Sequence, residues 1–193
     1  MHWREAEREY ADEVIGESTL PRLFEEAVAR NESRVAQRYK GGIYDRSLAD
    51  AVLTPAPGGE FATLTYEEMG GIVRHLAAGF RELGIEGGDR VGIFADTRME
   101  WAQADFGLLA AGAVVTTIYA GSSPNQVEYL LSDPEASAVV VENEERLERV
   151  LQVEDALDLS AIVVIDRIEG YDDREDVLTL GDVCERGAAA FAR

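Results

Sequence analysis

The chain has 193 residues, enough for one α/β domain with a sizeable core and too few for two comfortable ones. Against 38 acidic side chains stand only 18 basic ones, of which Lys40 alone is lysine, and the net charge of −20 argues against nucleic acid and anionic membrane surfaces as partners. No apolar stretch approaches the length of a membrane span, and the charged start, MHWREAEREY, is unlike a signal peptide.

Two expectations follow from composition. Cys184 is the only cysteine, so no internal disulfide can form and a reducing cytoplasm is the natural compartment, with Cys184 a small buried hydrophobe. The acidic excess would repel itself in dilute buffer, which points to a halophilic protein working where salt shortens the Debye length.

Residues 1–17 carry no clear pattern and are expected to be loosely ordered, with 18–193 forming the folded unit. Ser18 and Thr19 precede Pro21, and Leu20, Leu23, Phe24, Ala27 and Val28 recur at helical spacing, so a helix is expected to end near Asn31. Val35 to Tyr39 reads as a strand, with Gly41-Gly42 turning it into Ile43-Tyr44 as a β-hairpin. Asp45 to Glu60 reads as a loop.

Thr65 to Glu68 fits a capping box, and Met69, Ile72, Val73, Leu76, Ala77, Phe80 and Leu83 make one apolar stripe that Gly84 closes. His75 falls off that stripe and reads as a solvated helix residue. A strand is expected over Val91 to Ala95, with Asp96 and Thr97 capping a helix that runs through Trp101, Phe106 and Leu108 to Gly112. Trp101 reads as a packing residue, its alternative being the lining of an acyl tunnel.

The rhythm then repeats. Val114 to Tyr119 is a strand; Ser122 or Ser123 with Pro124 and Gln126 starts a helix; Ala138 to Val141 is a strand; Asn143 caps a helix; Ala161 to Ile165 is a strand; a last helix begins near Leu180. The four apolar runs start at Val91, Val114, Ala138 and Ala161, spacings of 23, 24 and 23 residues that suit a strand, a crossover helix and its loops. Because each run is apolar on both faces, the strands are expected to be parallel and buried. The expected fold is α/β, a doubly wound, mainly parallel sheet with helices on both faces, preceded by an N-terminal helix and a β-hairpin.

Several chemical signals fail. Gly84, Gly87, Gly88 and Gly92 precede their strand rather than follow it, so they do not form a dinucleotide fingerprint. No GxxxxGK[ST] loop exists, Lys40 lies too early for a receiver-type site, and His2 and His75 are too few for a His-rich metal site.

The segments LTYEEM, RELGIEGGDRVGIF and RMEWAQADFGLLAAGAVVTTIYAGSSPNQVEYLLSDPEASAVVVEN together resemble the N-terminal portion of the acyl-adenylate-forming ligases, most of all the long-chain fatty acid–CoA ligases. The similarity runs from about Leu20 to Ile165, with LTYEEM and LLAAGAVVTTIY matching two motifs of that superfamily. Two positions depart from its pattern: Thr117 stands where proline is common, and Thr97 where asparagine is common. The resemblance implies ATP, Mg2+ and CoA for the complete enzyme, which joins a fatty acid to AMP and then to CoA. Family members bind ATP through a Ser/Thr/Gly-rich loop ending Pro-Lys-Gly and use a C-terminal lysine, and neither motif follows Ile165.

The resemblance therefore implies a fragment, inactive by itself and binding none of these cofactors tightly, with no catalytic, cofactor-binding or metal residue of its own. The fatty acid and the missing catalytic subdomains, or a separate ligase subunit, would be its partners. A homodimer stays open, as do two alternatives: a stand-alone acyl- or nucleotide-binding module, and an interaction domain for a ligase subunit.

Overall fold

The computed structural model describes residues 18–53 and 56–193, so the expectation for residues 1–17 falls outside the described part. Helix α1 (Leu20–Asn31) starts where Thr19 Oγ1 accepts the backbone N–H of Arg22 at 3.4 Å, with proline in its first turn. It lays Phe24 and Val28 on Met69 and Val73, and Phe24 stacks on Phe106 with ring centroids 4.4 Å apart.

Strand β1 (Val35–Lys40) forms no hairpin with Ile43-Tyr44. It pairs antiparallel with β2 (Phe61–Thr65), a strand that the sequence reading missed because its burial alternates over only five residues and runs straight into a helix cap. The expected loop between them holds a short helix, α2 (Leu48–Ala51), while Gly41 bridges to Gly58. Released from the hairpin, residues 43–47 cross to the far sheet instead.

The capping box forms as expected: Thr65 Oγ1 accepts Glu68 N–H at 3.2 Å, and Glu68 Oε2 accepts Thr65 N–H at 2.7 Å. It opens α3 (Tyr66–Glu82), whose stripe of Met69, Ile72, Val73, Leu76 and Phe80 is buried. After β3 (Arg90–Phe94) and α4 (Met99–Ala111), Gly112 ends the helix in the left-handed conformation at φ 95°, a C-cap that favours glycine. Next come β4 (Val114–Ile118), α5 (Pro124–Ser132), β5 (Ala138–Val141), α6 (Glu144–Leu151) and β6 (Ala161–Val164). A second unforeseen strand, β7 (Val177–Thr179), is three residues long and leads into α7 (Leu180–Phe191).

The five strands β3 to β7 form one parallel sheet in the order β4-β3-β5-β6-β7. Alternation along the strands divides the core. Val91, Ile93, Val140, Val163 and Ile165 pack toward Leu76, Phe80, Leu108 and Val183 of α3, α4 and α7, while Phe94, Val139, Val141, Ile162 and Val164 face Val127, Leu131, Leu147 and Val150 of α5 and α6. Both faces are therefore covered by helices, as a parallel sheet requires. One expectation is corrected here: β4 is an edge strand, Val114 is 52% exposed, and only Ile118 of its residues is buried.

Helices α3 and α7 cross closely. A Cβ on Gly187 would sit 1.7 Å from the carbonyl oxygen of His75, and one on Gly79 would sit 1.9 Å from that of Val183. His75 is thus partly buried beside α7, its ring 5.8 Å from that of Phe191, rather than freely solvated. No helix among the described residues is long and apolar enough to cross a membrane.

Candidate functional site

An open α/β sheet offers a ligand the crevice at the carboxyl ends of its strands where the strand order reverses. In this sheet that switch point lies between β3 and β5, since β3 connects to β4 on one side and β5 continues on the other. The residues that follow these strands are Ala95 and Asp96 after β3, Glu142 after β5 and, one strand further, Asp166 after β6.

A buried charge cluster fills this end of the sheet. Arg98 lies at the N-cap of α4 and makes no side-chain cap, so Asp96 and Thr97 do not cap this helix as expected. Its guanidinium instead turns inward, 1% exposed, and donates Nε–H to Glu100 at 2.9 Å and Nη2–H to Asp166 at 2.8 Å. Glu100 has no exposed surface and accepts a second bond, from Arg46 Nε at 2.6 Å. Glu142 stands 3.6 Å from Arg98 Nη1, and its other oxygen accepts Asp96 N–H at 3.2 Å.

Tyr44 completes the arrangement, its ring centroid 4.0 Å from the Arg98 guanidinium carbon and 5.2 Å from that of Arg46. Burial works against the charge on Arg98, but the hydrogen bonds to Glu100 and Asp166 outweigh it and hold the guanidinium above its ordinary pKa.

The segment that carries Tyr44 and Arg46 is stitched down by neutral bonds as well. Ser47 donates its N–H and its Oγ–H to the carbonyl of Ile165, at 3.2 and 2.6 Å, and its Oγ accepts Gly181 N–H at 3.1 Å. Arg167 N–H donates to the Asp45 carbonyl, and the two side chains form an ion pair. One cluster of carboxylates and guanidiniums thus joins residues 44–47, the start of α4 and the ends of β5 and β6.

Chemically, these groups are consumed by one another. Arg98 Nη1 is a buried donor of the cluster without a hydrogen-bond partner, and it faces the Glu142 carboxylate. A phosphate placed there would meet the carboxylates of Glu100, Glu142 and Asp166 around Arg98. The described residues do not place three His, Cys, Asp or Glu side chains together to hold a metal ion.

The other residues weighed from sequence are scattered. Trp101 is partly buried against the main core, matching the packing reading. Asp96 pairs with Arg146 at 3.4 Å. Lys40 lies on β1 with its Nζ over the Phe61 ring at 5.9 Å, while its carbonyl accepts Arg46 Nη1–H at 3.1 Å. Cys184 is fully buried, and burial pushes its thiol up to about 12.

Sequence reading missed the five-residue cluster. A signal for two of its members was present: Glu142 comes directly after the wholly buried β5, and Asp166 comes one residue past the wholly buried β6, where a carboxylate needs a partner. Elsewhere, an open apolar groove of about 400 Å³ runs between α1 and α4, lined by Leu20, Leu23, Phe24, Tyr66 and Phe106 with Gln37 as a polar group.

Comparison with known proteins follows the same architecture. Residues 24–182 match the family model described as AMP-binding enzyme. The chain is 40% identical over 95 residues to the long-chain-fatty-acid–CoA ligase FadD15 of Mycobacterium bovis, covering 49% of this chain and 16% of that protein. It is 32% identical over 146 residues to the long-chain-fatty-acid–CoA ligase ACSBG2 of Xenopus laevis, covering 75% of this chain and 18% of the relative. The chain thus spans less than a fifth of the length of either.

Among solved structures, the adenylation domain of a carboxylate reductase from Mycobacterium chelonae superposes with a TM-score of 0.71 at 22% identity, over 89% of this chain and 29% of that one. The anthranilate CoA ligase AuaEII, in complex with anthranoyl-AMP, gives 0.66 at 21% identity over 86% and 27%. At these identities the two superpositions speak for the fold.

Proposed function

The chain belongs to the AMP-binding enzyme family, and from that premise we propose that residues 18–193 are the N-terminal α/β subdomain of an ATP-dependent long-chain fatty acid–CoA ligase. The observation that carries the reading is the family match across residues 24–182, reinforced by the two ligases named above. In the complete enzyme a fatty acid carboxylate would attack ATP to give acyl-AMP and pyrophosphate, and the thiol of CoA would then displace AMP to form the thioester. ATP, Mg2+ and CoA are cofactors and co-substrate of that whole reaction.

Within it, this part is scaffold. Its buried carboxylates are paired with arginines, its thiol is buried, and its single lysine lies on a two-stranded sheet outside the parallel core. These features support a subdomain that holds the fold and a face for the catalytic remainder, or for a separate ligase subunit, without performing either chemical step. The lone buried cysteine supports a reducing, cytoplasmic setting. Palmitate-dependent exchange of labelled pyrophosphate into ATP by the 193-residue chain tests this: background exchange is expected, and exchange above background overturns it.

The apolar groove beside α1 favours a second reading, an acyl-binding module. Displacement of a fluorescent fatty acid from the chain by palmitate, lost in Leu23→Glu, would support it.

A further inference from the structure

We propose that the free edge of the parallel sheet, strand β4, is a self-association site that joins two copies of this chain into one continuous sheet. The hydrogen-bond direction of the strand is fixed at its first residue, where Val114 donates its N–H to the Asp89 carbonyl at 2.7 Å, toward β3. Backbone groups alternate sides along a strand, so Thr116 and Ile118 also face β3, while Val115 and Thr117 direct their N–H and C=O groups away from it. Among the described residues no strand lies on that side.

Natural sheets guard such an edge with charge, proline or a bulge. This one has no such guard. Phe106 to Val127 contains no charged residue, although 29% of the chain is charged. The register of β4 on β3 is unbroken, with no bulge. Thr117 occupies the position where the resemblance leads one to expect proline, and it supplies an outward N–H that proline would lack. Apolar side chains are also on view, Val114 being 52% and Tyr119 82% exposed.

A second copy fits this edge better than an unrelated strand does, because the edge is complementary to itself. With a two-fold axis through Thr116, Val115 faces Thr117 of a second copy and Thr117 faces its Val115. Both are then hydrogen-bonded antiparallel pairs, each exchanging both N–H···O=C bonds. Thr116 meets its own symmetry mate, and Val114 lies opposite Ile118. Charge selects the same contact. Two molecules of charge −20 repel over most of their surface, and this run lets them touch without placing like charges face to face. The interface is isologous and closed, so it gives a dimer rather than a fibre.

The test uses the whole 193-residue chain in molar potassium chloride. Sedimentation velocity is expected to show a monomer–dimer equilibrium, and amide hydrogen exchange at Val115 and Thr117 is expected to slow as protein concentration rises. The substitution Thr117→Pro removes an outward donor and no bond to β3, so it is expected to leave circular dichroism unchanged and abolish the dimer. A chain that stays monomeric, with both amides exchanging at unprotected rates at every concentration, overturns the proposal, as does a dimer that survives Thr117→Pro. Protection of the same amides in a longer ligase chain, independent of concentration, would assign the edge to that chain's own remainder and equally overturn it.

Discussion

Arg46 reaches across 54 residues of chain to place its Nε 2.6 Å from the fully buried carboxylate of Glu100. Through that one carboxylate the segment carrying Tyr44 is tied to α4, and through Arg98 to the ends of β5 and β6. Taking a partner away from a buried pair leaves an uncompensated charge in a poorly solvating interior. Glu100→Ala is therefore expected to destabilise the chain by about 3–5 kcal/mol, measured by urea unfolding. By contrast Arg74 and Glu25 are each 44% exposed; removing Glu25 is expected to cost under about 1 kcal/mol. Similar costs for the two substitutions would show that the buried cluster does not hold this end of the sheet.

The crossing of α3 and α7 gives a second prediction. Because a Cβ on Gly187 would lie 1.7 Å from the carbonyl oxygen of His75, Gly187→Ala must push the two helices apart. Helix propensity favours alanine by up to about 1 kcal/mol, yet overpacking of this kind costs about 1–3 kcal/mol. Net destabilisation in urea is the expected sign, and a stabilised variant would mean that the helices do not cross at this glycine.

Cys184 gives a third, with a defined pH window. Burial raises the thiol from 9.0 to about 12, with Glu185 adding to the rise. Below the ordinary thiol value the folded and unfolded chains both hold the proton, so this group leaves stability independent of pH. Between 9.0 and about 12 the unfolded chain loses its proton and the folded chain keeps it, so stability falls as pH rises. The difference in pH slope between the wild type and Cys184→Ala over that window isolates the effect. A thiol reagent is expected to label Cys184 at pH 8 only as fast as the chain unfolds; rapid labelling of folded protein would contradict its burial.

Salt gives the fourth. With a net charge of −20 and few basic residues, screening should relieve more repulsion than it costs in ion pairs. Melting temperature is expected to climb steadily across a potassium chloride series. A flat or falling series would remove the case for a halophilic protein.

Much of this was legible in the chain itself. Thr65 and Glu68, Asn143, Ser123 with Pro124, and Gly112 mark helix ends through bonds made within three or four residues, so local sequence suffices to find them. The runs at Val91, Ala138 and Ala161 declare buried parallel strands by being apolar at every position. The same stretches carry the family resemblance.

What the sequence alone left undecided depends on contacts made across the chain. Strand β2 is half-exposed and β7 is three residues long, so neither has a pattern that stands out from loop; each becomes a strand only when a distant partner supplies its hydrogen bonds. Ile43-Tyr44 looked like the second arm of a hairpin until Phe61–Thr65 took that place beside β1. The charged cluster is the extreme case. Glu142 and Asp166 lie just past buried strands, but nothing local marks Glu100 among the 38 acidic residues, and the contacts that join the three are made between segments 46 to 68 residues apart in the chain. Local backbone preferences and apolar periodicity determined the elements and the layers; tertiary packing decided which carboxylates lose water, and so which arginines must accompany them.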